Sequence, residues 1–294
     1  MMNTPLFERL TRFATKPWRD KFRSFGFRWI RYLPGIPLPL RLPFGAWWLA
    51  ENDFAGAALL EGRFEDPERA FVARFLKPGM TVLDIGAHKG LYSLISAFKI
   101  GSSGRVYAFE PSPRERKRLN QHIRLNRCRN VCVFDFALGE SEGDADLFVV
   151  QGTETGCNSL RRPDVAQPVR SVRVPVKVLD EVLREQKILA IDFIKLDVEG
   201  AERDVLKGAE KLLERQLRPV IFAEVQDLRT EPWGYPAKEI IEHLLQRNYR
   251  WFKIDADGWL QALDVSASKF DGNFVACPEE RTGEVLPLVR TFDR

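Results

Sequence analysis

The sequence predicts an α/β fold built on a mostly parallel sheet, and three observations carry that prediction. From Glu65 onward, short apolar runs alternate with amphipathic stretches, the pattern of strand, crossover helix and parallel strand. Two of the runs end in acids, Asp84 and Glu110, about one βα unit apart. After the first lies a tight turn, Gly86-Ala-His-Lys-Gly90, which lets backbone approach a ligand at the carboxyl end of a parallel strand.

The elements follow in order. Residues 1 to about 33 look helical in patches, with Leu6, Leu10, Phe13, Trp18, Phe22, Phe25, Phe27, Trp29 and Ile30 set among basic residues. Pro34, Pro37, Pro39 and Pro43 then make a hinge that cannot sustain a helix. Pro67 to Leu76 reads as a helix, Met80 to Ile85 as the first core strand, and Leu91 to Ile100 as its helix. Arg105 to Phe109 is the second strand, Pro113 to Arg127 a charged helix, and Val131 to Phe136 the third strand. A turn and a short strand occupy 136–150, and 151–168 is a polar loop without periodicity, either a lid or an ordinary surface loop. Ser171 to Val178 alternates as an edge strand, because it carries Pro175. Ile191 to Leu196 is the fourth core strand, Glu199 to Glu214 its helix, and Pro219 to Val225 the fifth strand. Ala237 to Gln246 is helical, and Trp251 to Ile254 with Asn273 to Cys277 fit a terminal antiparallel pair.

Charge divides the chain. Before Gly45, nine basic residues face only Glu8 and Asp20, a net of +7, which leaves the remainder at −3 within an overall +4. That asymmetry separates a basic, aromatic-rich extension over 1–50 from a catalytic body over 51–294. The extension reads either as an amphipathic segment resting on an anionic membrane surface or as a helix packing its aromatics on the body or on a second copy. Cys128, Cys132, Cys157 and Cys277 show neither C-x-x-C nor metal-ligand spacing, which fits idle thiols in a reduced cytoplasm. No signal peptide and no membrane-spanning apolar run is visible.

The glycine pattern selects the cofactor. A dinucleotide site needs G-x-G-x-x-G so that a pyrophosphate can lie on bare backbone, and the middle glycine is missing here. The D-x-G-x-x-x-G form from Asp84 to Gly90 suits S-adenosylmethionine, whose linker carries no phosphate. Glu110 is placed to accept both ribose hydroxyls. Asp84, Gly86, Ala87, His88, Gly90, Glu110, Pro111 and Ser112 are thus expected on the cofactor. Asp135 and Ala137 are expected near the adenine edge, and Asn158 in the loop over the amino-acid end. His88 reads either as a base near neutral pH or as a hydrogen-bonding partner of the donor's carboxylate.

Asp197 closes a central strand on the same sheet edge, and Glu199 and Glu202 follow it. A strand-end acid facing the crevice has little structural reason to be there, so Asp197 and Glu199 are expected to touch substrate, metal or donor. Glu202 reads as a helix-start acid. Glu224 closes the neighbouring strand, so Asp197 and Glu224 form either a divalent-metal pair or a general base toward a hydroxyl; no metal is assigned. Lys195, inside an apolar strand, needs an ion-pair partner unless it serves catalysis.

These residues resemble the FkbM family of S-adenosylmethionine-dependent methyltransferases. The resemblance runs from about Gly56 to Cys277 and rests most specifically on Ile194-Lys-Leu-Asp-Val-Glu-Gly-Ala-Glu202. Gly62-Arg-Phe-Glu65, Leu83-Asp-Ile-Gly-Ala-His-Lys-Gly90, Ala108-Phe-Glu-Pro111 and Ala223-Glu-Val225 support it. It implies a class I methyltransferase fold, Rossmann-like, with seven strands, the last antiparallel. It also implies methylation of hydroxyls on sugars, polyketides and related small molecules. His88 and Lys89 replace the Asn and the apolar residue commoner in that turn.

Two rival readings are weighed. A nucleic-acid methyltransferase is encouraged by the basic extension, yet neither an Asn/Asp-Pro-Pro-aromatic motif nor a Pro-Cys nucleophile occurs, and nucleic acid is not the expected partner. A membrane-associated protein that binds the donor without turnover fits poorly with acids retained at 84, 110, 197 and 224. The expected partners are a small-molecule or glycan acceptor, with a homodimer and peripheral membrane contact both compatible with the aromatic N-terminus.

Overall fold

A computed structural model describes residues 16–33 and 35–290. The chain enters through helix α1 (Lys16–Tyr32) and a hairpin of β1 (Leu38–Arg41) and β2 (Trp47–Ala50), then α2 (Phe54–Glu61) and α3 (Asp66–Phe75). Core alternation follows as β3 (Thr81–Ile85), α4 (Leu91–Ile100), β4 (Arg105–Phe109), α5 (Pro113–Leu125) and β5 (Val131–Phe134). Next come β6 (Ala137–Leu138), β7 (Gly143–Val150), β8 (Val169–Lys177), α6 (Leu179–Glu185) and β9 (Phe193–Leu196). The rest is α7 (Glu202–Lys207), α8 (Glu210–Leu213), β10 (Val220–Gln226), α9 (Asp227–Thr230), α10 (Lys238–Leu245), β11 (Tyr249–Ile254), β12 (Leu260–Ala262), β13 (Asp271–Pro278) and α11 (Thr282–Val285).

The central sheet runs β12-β11-β13-β10-β9-β3-β4-β5. Its five strands from β10 to β5 are parallel, and β13 enters antiparallel between β10 and β11. This is the doubly wound class I methyltransferase order with its reversed strand. An eighth strand, β12, is added by a hairpin on β11, where seven were expected. Strand residues alternate between two cores. Val82 and Phe193 face one that includes Phe71, Phe75 and Leu94, while Leu83, Ile85 and Ile194 face another with Leu179, Leu206 and Ile240. Both layers are apolar because crossover helices cover both faces of a parallel sheet.

The N-terminal segment belongs to the first of these cores. Ile30 is 3% exposed, and Leu38, Leu40 and Trp48 are buried with it, while Phe27 and Trp29 pack against the same cluster. Phe25 remains 53% exposed. Leu6, Leu10 and Phe13 lie outside the described residues, as do the side chains of Trp18 and Phe22. The proline-dense stretch expected as a hinge contains β1, in which Pro39 opposes Leu49.

Three further expectations are corrected. The helix expected over Glu199–Glu214 is two short ones. The Gly208 carbonyl accepts the Asp180 N–H at 2.9 Å, and the Asp180 carboxylate restarts the helix by accepting the Lys211 and Leu212 N–H groups at 2.7 and 3.0 Å. Glu199 itself is not helical; its φ is +55°. The strand expected at an edge, β8, is central in a separate sheet ordered β6-β8-β7. Pro175 is still tolerated, since β6 pairs only with Val176 and Lys177, leaving the proline a partner on the β7 side alone. No helix among the described residues is long and apolar enough to cross a membrane, and all four cysteines are free.

Candidate active site

The turn after β3 is shaped by what it must pass. Gly86 has φ +77°, and a Cβ there would lie 1.7 Å from the Asp197 carbonyl oxygen, so only glycine lets β3 leave the sheet beside the end of β9. Gly86 and Ala87 donate their N–H groups to the Phe109 carbonyl at 3.1 and 3.0 Å. Glu110 then locks the turn from the next strand. Its carboxylate accepts the His88 N–H at 2.7 Å and the Ser112 N–H at 2.8 Å. Burial to 6% exposure, with Glu115 nearby, pushes its pKa up to about 8.

The second constellation is acidic. Register sets Ala223 of β10 beside Leu196 of β9, so Glu224 and Asp197 leave adjacent strands side by side. Glu199 joins them from the left-handed turn, and one carboxylate oxygen from each lies within 4.8 Å of the others. Two cations meet the cluster. Lys195 Nζ donates to the Gly86 carbonyl at 2.9 Å and pairs with Asp197 at 3.0 Å, while Arg229 pairs with Glu199 at 2.8 Å. Burial opposes the charge of Lys195, but Asp197 and Asp84 hold its proton more tightly than an ordinary lysine's. Burial, then Asp197, raises the pKa of Glu199; burial, then Asp197 and Glu199, raises that of Glu224. Glu224 Oε2 is buried without a hydrogen-bond partner. Three hard oxygen donors could hold a divalent cation or take a proton from a substrate hydroxyl.

Both constellations line one cavity of about 450 Å³. Gly86, Ala87, His88, Glu110 and Pro111 form one end of it, with Phe136 and Ala137 beside them. Asp197, Glu199 and Glu224 form another part, and Asn158 reaches it from the 151–168 loop, its Oδ1 accepting the Val150 N–H at 2.9 Å. Ser159 anchors this loop by donating to the Glu199 carbonyl at 2.8 Å. Four expected cofactor residues stand off the cavity. Asp84, 1% exposed, accepts the Ser93 hydroxyl beneath its floor. Gly90 gives room to Leu119, whose Cδ1 would lie 2.2 Å from a Cβ. Ser112 is buried against Glu115. Asp135 is exposed, because β5 ends at Phe134 and the chain turns its apolar residues inward from Phe136. His88 lines the cavity with φ +49° and a buried, unpartnered Nε2. Burial drives its pKa down to about 4, so it is neutral at physiological pH. Glu202 Oε1 accepts the Val198 and Gly200 N–H groups at 2.8 and 3.3 Å, which holds the turn before α7.

The remaining wall comes from a region to which no site role was assigned. Trp48, Phe54, Phe64 and Glu65 line the cavity from the N-terminal segment. His122 joins that wall to the glycine turn. It stacks on Trp48 at 4.0 Å, accepts the Leu49 N–H at Nε2 (2.9 Å) and donates from Nδ1 to the Lys89 carbonyl (2.7 Å). Lys89 is buried between Glu51, at 2.7 Å, and Asp53. Of the four residues on this wall, Phe64 and Glu65 carried a sequence signal, as the end of Gly62-Arg-Phe-Glu65; Trp48 and Phe54 carried none.

The donor set suits an adenosyl sulfonium: a buried carboxylate beside an open glycine turn, flanked by the apolar edge of Phe136 and Ala137, and no phosphate cradle. Comparison with known proteins agrees. Residues 84–251 match the Methyltransferase FkbM domain model. The chain is 27% identical over 189 residues to the 2-O-methyltransferase NoeI of Sinorhizobium fredii, covering 60% of this chain and 75% of that protein. It is 28% identical over 229 residues to the 31-O-demethyl-FK506 methyltransferase FkbM of Streptomyces tacrolimicus, covering 64% and 82%. It is 29% identical over 222 residues to the AMB antimetabolite synthetase AmbE of Pseudomonas aeruginosa, covering 64% of this chain but spanning 10% of that protein's length.

Proposed function

The chain belongs to the FkbM family of S-adenosylmethionine-dependent methyltransferases, and from that premise we propose that it methylates a hydroxyl oxygen of a small molecule, a sugar or another secondary metabolite. Two of its relatives are named for methylation at oxygen, and this reading carries the same chemistry here. The observation that supports it most directly is the trio Asp197, Glu199 and Glu224, opening on the same cavity as the glycine turn and Glu110.

When bound, the donor supplies an already activated sulfonium methyl. The protein's part is therefore to orient the acceptor and remove its proton. In this reading Glu110 accepts the ribose hydroxyls and the turn at Gly86 lets the ligand lie against backbone. The acceptor's O–H points into the acid trio. Glu224, with one oxygen unpartnered and a raised proton affinity, takes the proton in its ionised form, in which a carboxylate of raised pKa is a stronger base than an ordinary one. Asp197 and Glu199 already face Lys195 and Arg229, which favours proton transfer over metal binding at this trio.

The test uses the full chain, donor with a deuterated methyl group, and a panel of methyl glycosides and secondary alcohols. We expect the label on oxygen, and kcat lower by about a hundredfold in Glu224→Gln, on the usual 10²–10⁴ scale of acid–base catalysis. S-Adenosylhomocysteine affinity should stay within threefold. Label on nitrogen or carbon, or full activity in the variant, overturns the reading. Activity lost to EDTA and restored by Mg²⁺ would return the trio to a metal role.

A further inference from the structure

Glu65 has no part in the chemistry above, yet it is built into the same cavity. It is the N-cap of α3 with φ +49°, a conformation costly for a residue with a side chain. Its carbonyl accepts the Arg69 N–H at 2.9 Å, but its side chain makes no capping bond to that helix. Its carboxylate is turned into the cavity, where Oε2 accepts the Tyr92 hydroxyl at 2.6 Å. Of the non-glycine residues with positive φ, Glu65, His88 and Glu199 all line this one space, and strained backbone of that kind collects where a ligand is held. Glu65 also lies close enough to Asp197 and Lys195 for their charges to act on it.

Charge around it is unbalanced. Glu65, Glu110, Glu154, Asp197, Glu199 and Glu224 offer six carboxylates to the cavity. The neighbouring cations are already engaged: Lys195 with Asp197, Arg229 with Glu199, Arg69 with Asp66, and Lys89 with Glu51 and Asp53. Such a site exchanges hydrogen bonds readily, and with its cations already paired it offers an anion no counter-charge. Phe54, 68% exposed, stands edge-on to Phe64 at 6.1 Å on the same wall and gives the ring of an acceptor an apolar face to lie on.

We propose that Glu65 is the residue that recognises the acceptor. Its carboxylate accepts a hydrogen bond from a hydroxyl or ammonium group next to the hydroxyl that is methylated, and the acidic wall rejects acceptors carrying an anionic group there. This rests on the hydroxyl-methylation reading for its substrate but not for its readout.

The experiment measures binding of methyl glucoside, methyl glucosaminide and methyl glucuronide to the full chain saturated with S-adenosylhomocysteine, by saturation-transfer NMR. The neutral and aminated sugars should bind, and the glucuronide at least tenfold more weakly. Glu65→Gln should weaken the neutral sugar at least tenfold with S-adenosylhomocysteine affinity unchanged; in turnover it should raise KM more than it lowers kcat. Glu65→Gly serves as the second variant, since glycine adopts a φ of +49° without strain and keeps the fold while removing the carboxylate. If Glu65 serves only the backbone, Glu65→Gly will bind sugar like the parent, which overturns the proposal. So does equal binding of the glucuronide, or no binding by any of the three. Glu65-dependent binding with no methyl delivered to oxygen would sink the hydroxyl reading and leave this one standing; oxygen methylation untouched in both variants would do the reverse.

Discussion

Single residues of the cavity matter because burial changes what they can do. Glu110 is an ordinary carboxylic acid by sequence, but with two backbone N–H groups on it and almost no water it holds its proton to about pH 8. Two ribose hydroxyls would complete its hydrogen bonds, each worth about 0.5–1.5 kcal/mol to the neutral acid and about 1.5–3 kcal/mol to its ionised form. Glu110→Gln should therefore weaken S-adenosylhomocysteine by about a hundredfold in calorimetry, with the far-ultraviolet circular dichroism unchanged. A loss below threefold would remove Glu110 from the donor site. Lys195 shows the complementary case: a buried cation is stable in an apolar strand because a carbonyl and a carboxylate meet it at once.

At the scale of elements, the β1–β2 hairpin is tied to the glycine turn by His122. Beside it, Asn126 exchanges two hydrogen bonds with the Trp47 backbone, and Lys89 pairs with Glu51 just beyond β2. His122, on α5, is held in a single neutral tautomer by Leu49 N–H and the Lys89 carbonyl, and burial pushes its pKa down to about 4. Removing it leaves a backbone donor and a carbonyl unpaired and opens a gap against Trp48. His122→Ala should cost about 3 kcal/mol in urea unfolding, from unsatisfied groups at about 1–3 kcal/mol each. The hairpin should also become the first site of proteolytic cleavage. A cost under about 1 kcal/mol, well short of two unsatisfied buried groups, would mean the hairpin is held elsewhere.

The whole molecule inherits a pH dependence from these buried acids. Glu110 keeps its proton to about 8 and Glu202, whose pKa burial raises, to about 7, both against an ordinary 4.5. Between pH 6.5 and 8 the folded chain thus binds more protons than the unfolded one, so stability falls as pH rises through that window. His88 and His122, with pKa values lowered to about 4 from 6.5, act in the opposite sense only below about 6.5. Glu110 alone should account for about 2 kcal/mol between pH 6.5 and 8, at 1.36 kcal/mol per pH unit. Urea unfolding at those two pH values checks it: the ligand-free parent should lose stability and Glu110→Gln should lose about 2 kcal/mol less. A parent whose stability climbs over that interval would contradict the burial of these acids.

Much of this was legible in the residues themselves. Apolar runs of four or five residues, punctuated by glycine and ended by acids, set the parallel strands, and α4 and β4 fall where the periodicity put them. The glycine spacing and Glu110 pointed to the cofactor, and neighbouring strand ends brought Asp197 and Glu224 together. Local pattern could not show which way a strand-end side chain turns: Asp84, near the end of β3, is buried, and Asp135, just past β5, is exposed. Nor could it show that a proline-rich stretch pairs as β1, or that Glu199 leaves the helix, since both depend on distant backbone. The sequence by itself determined the sheet, the donor and the acidic edge, because periodicity and turn chemistry act between near neighbours. Only the tertiary structure decided that Trp48, Phe54 and Glu65 close the cavity and that Lys195 and Arg229 balance its acids, because those contacts join segments that no local rule relates.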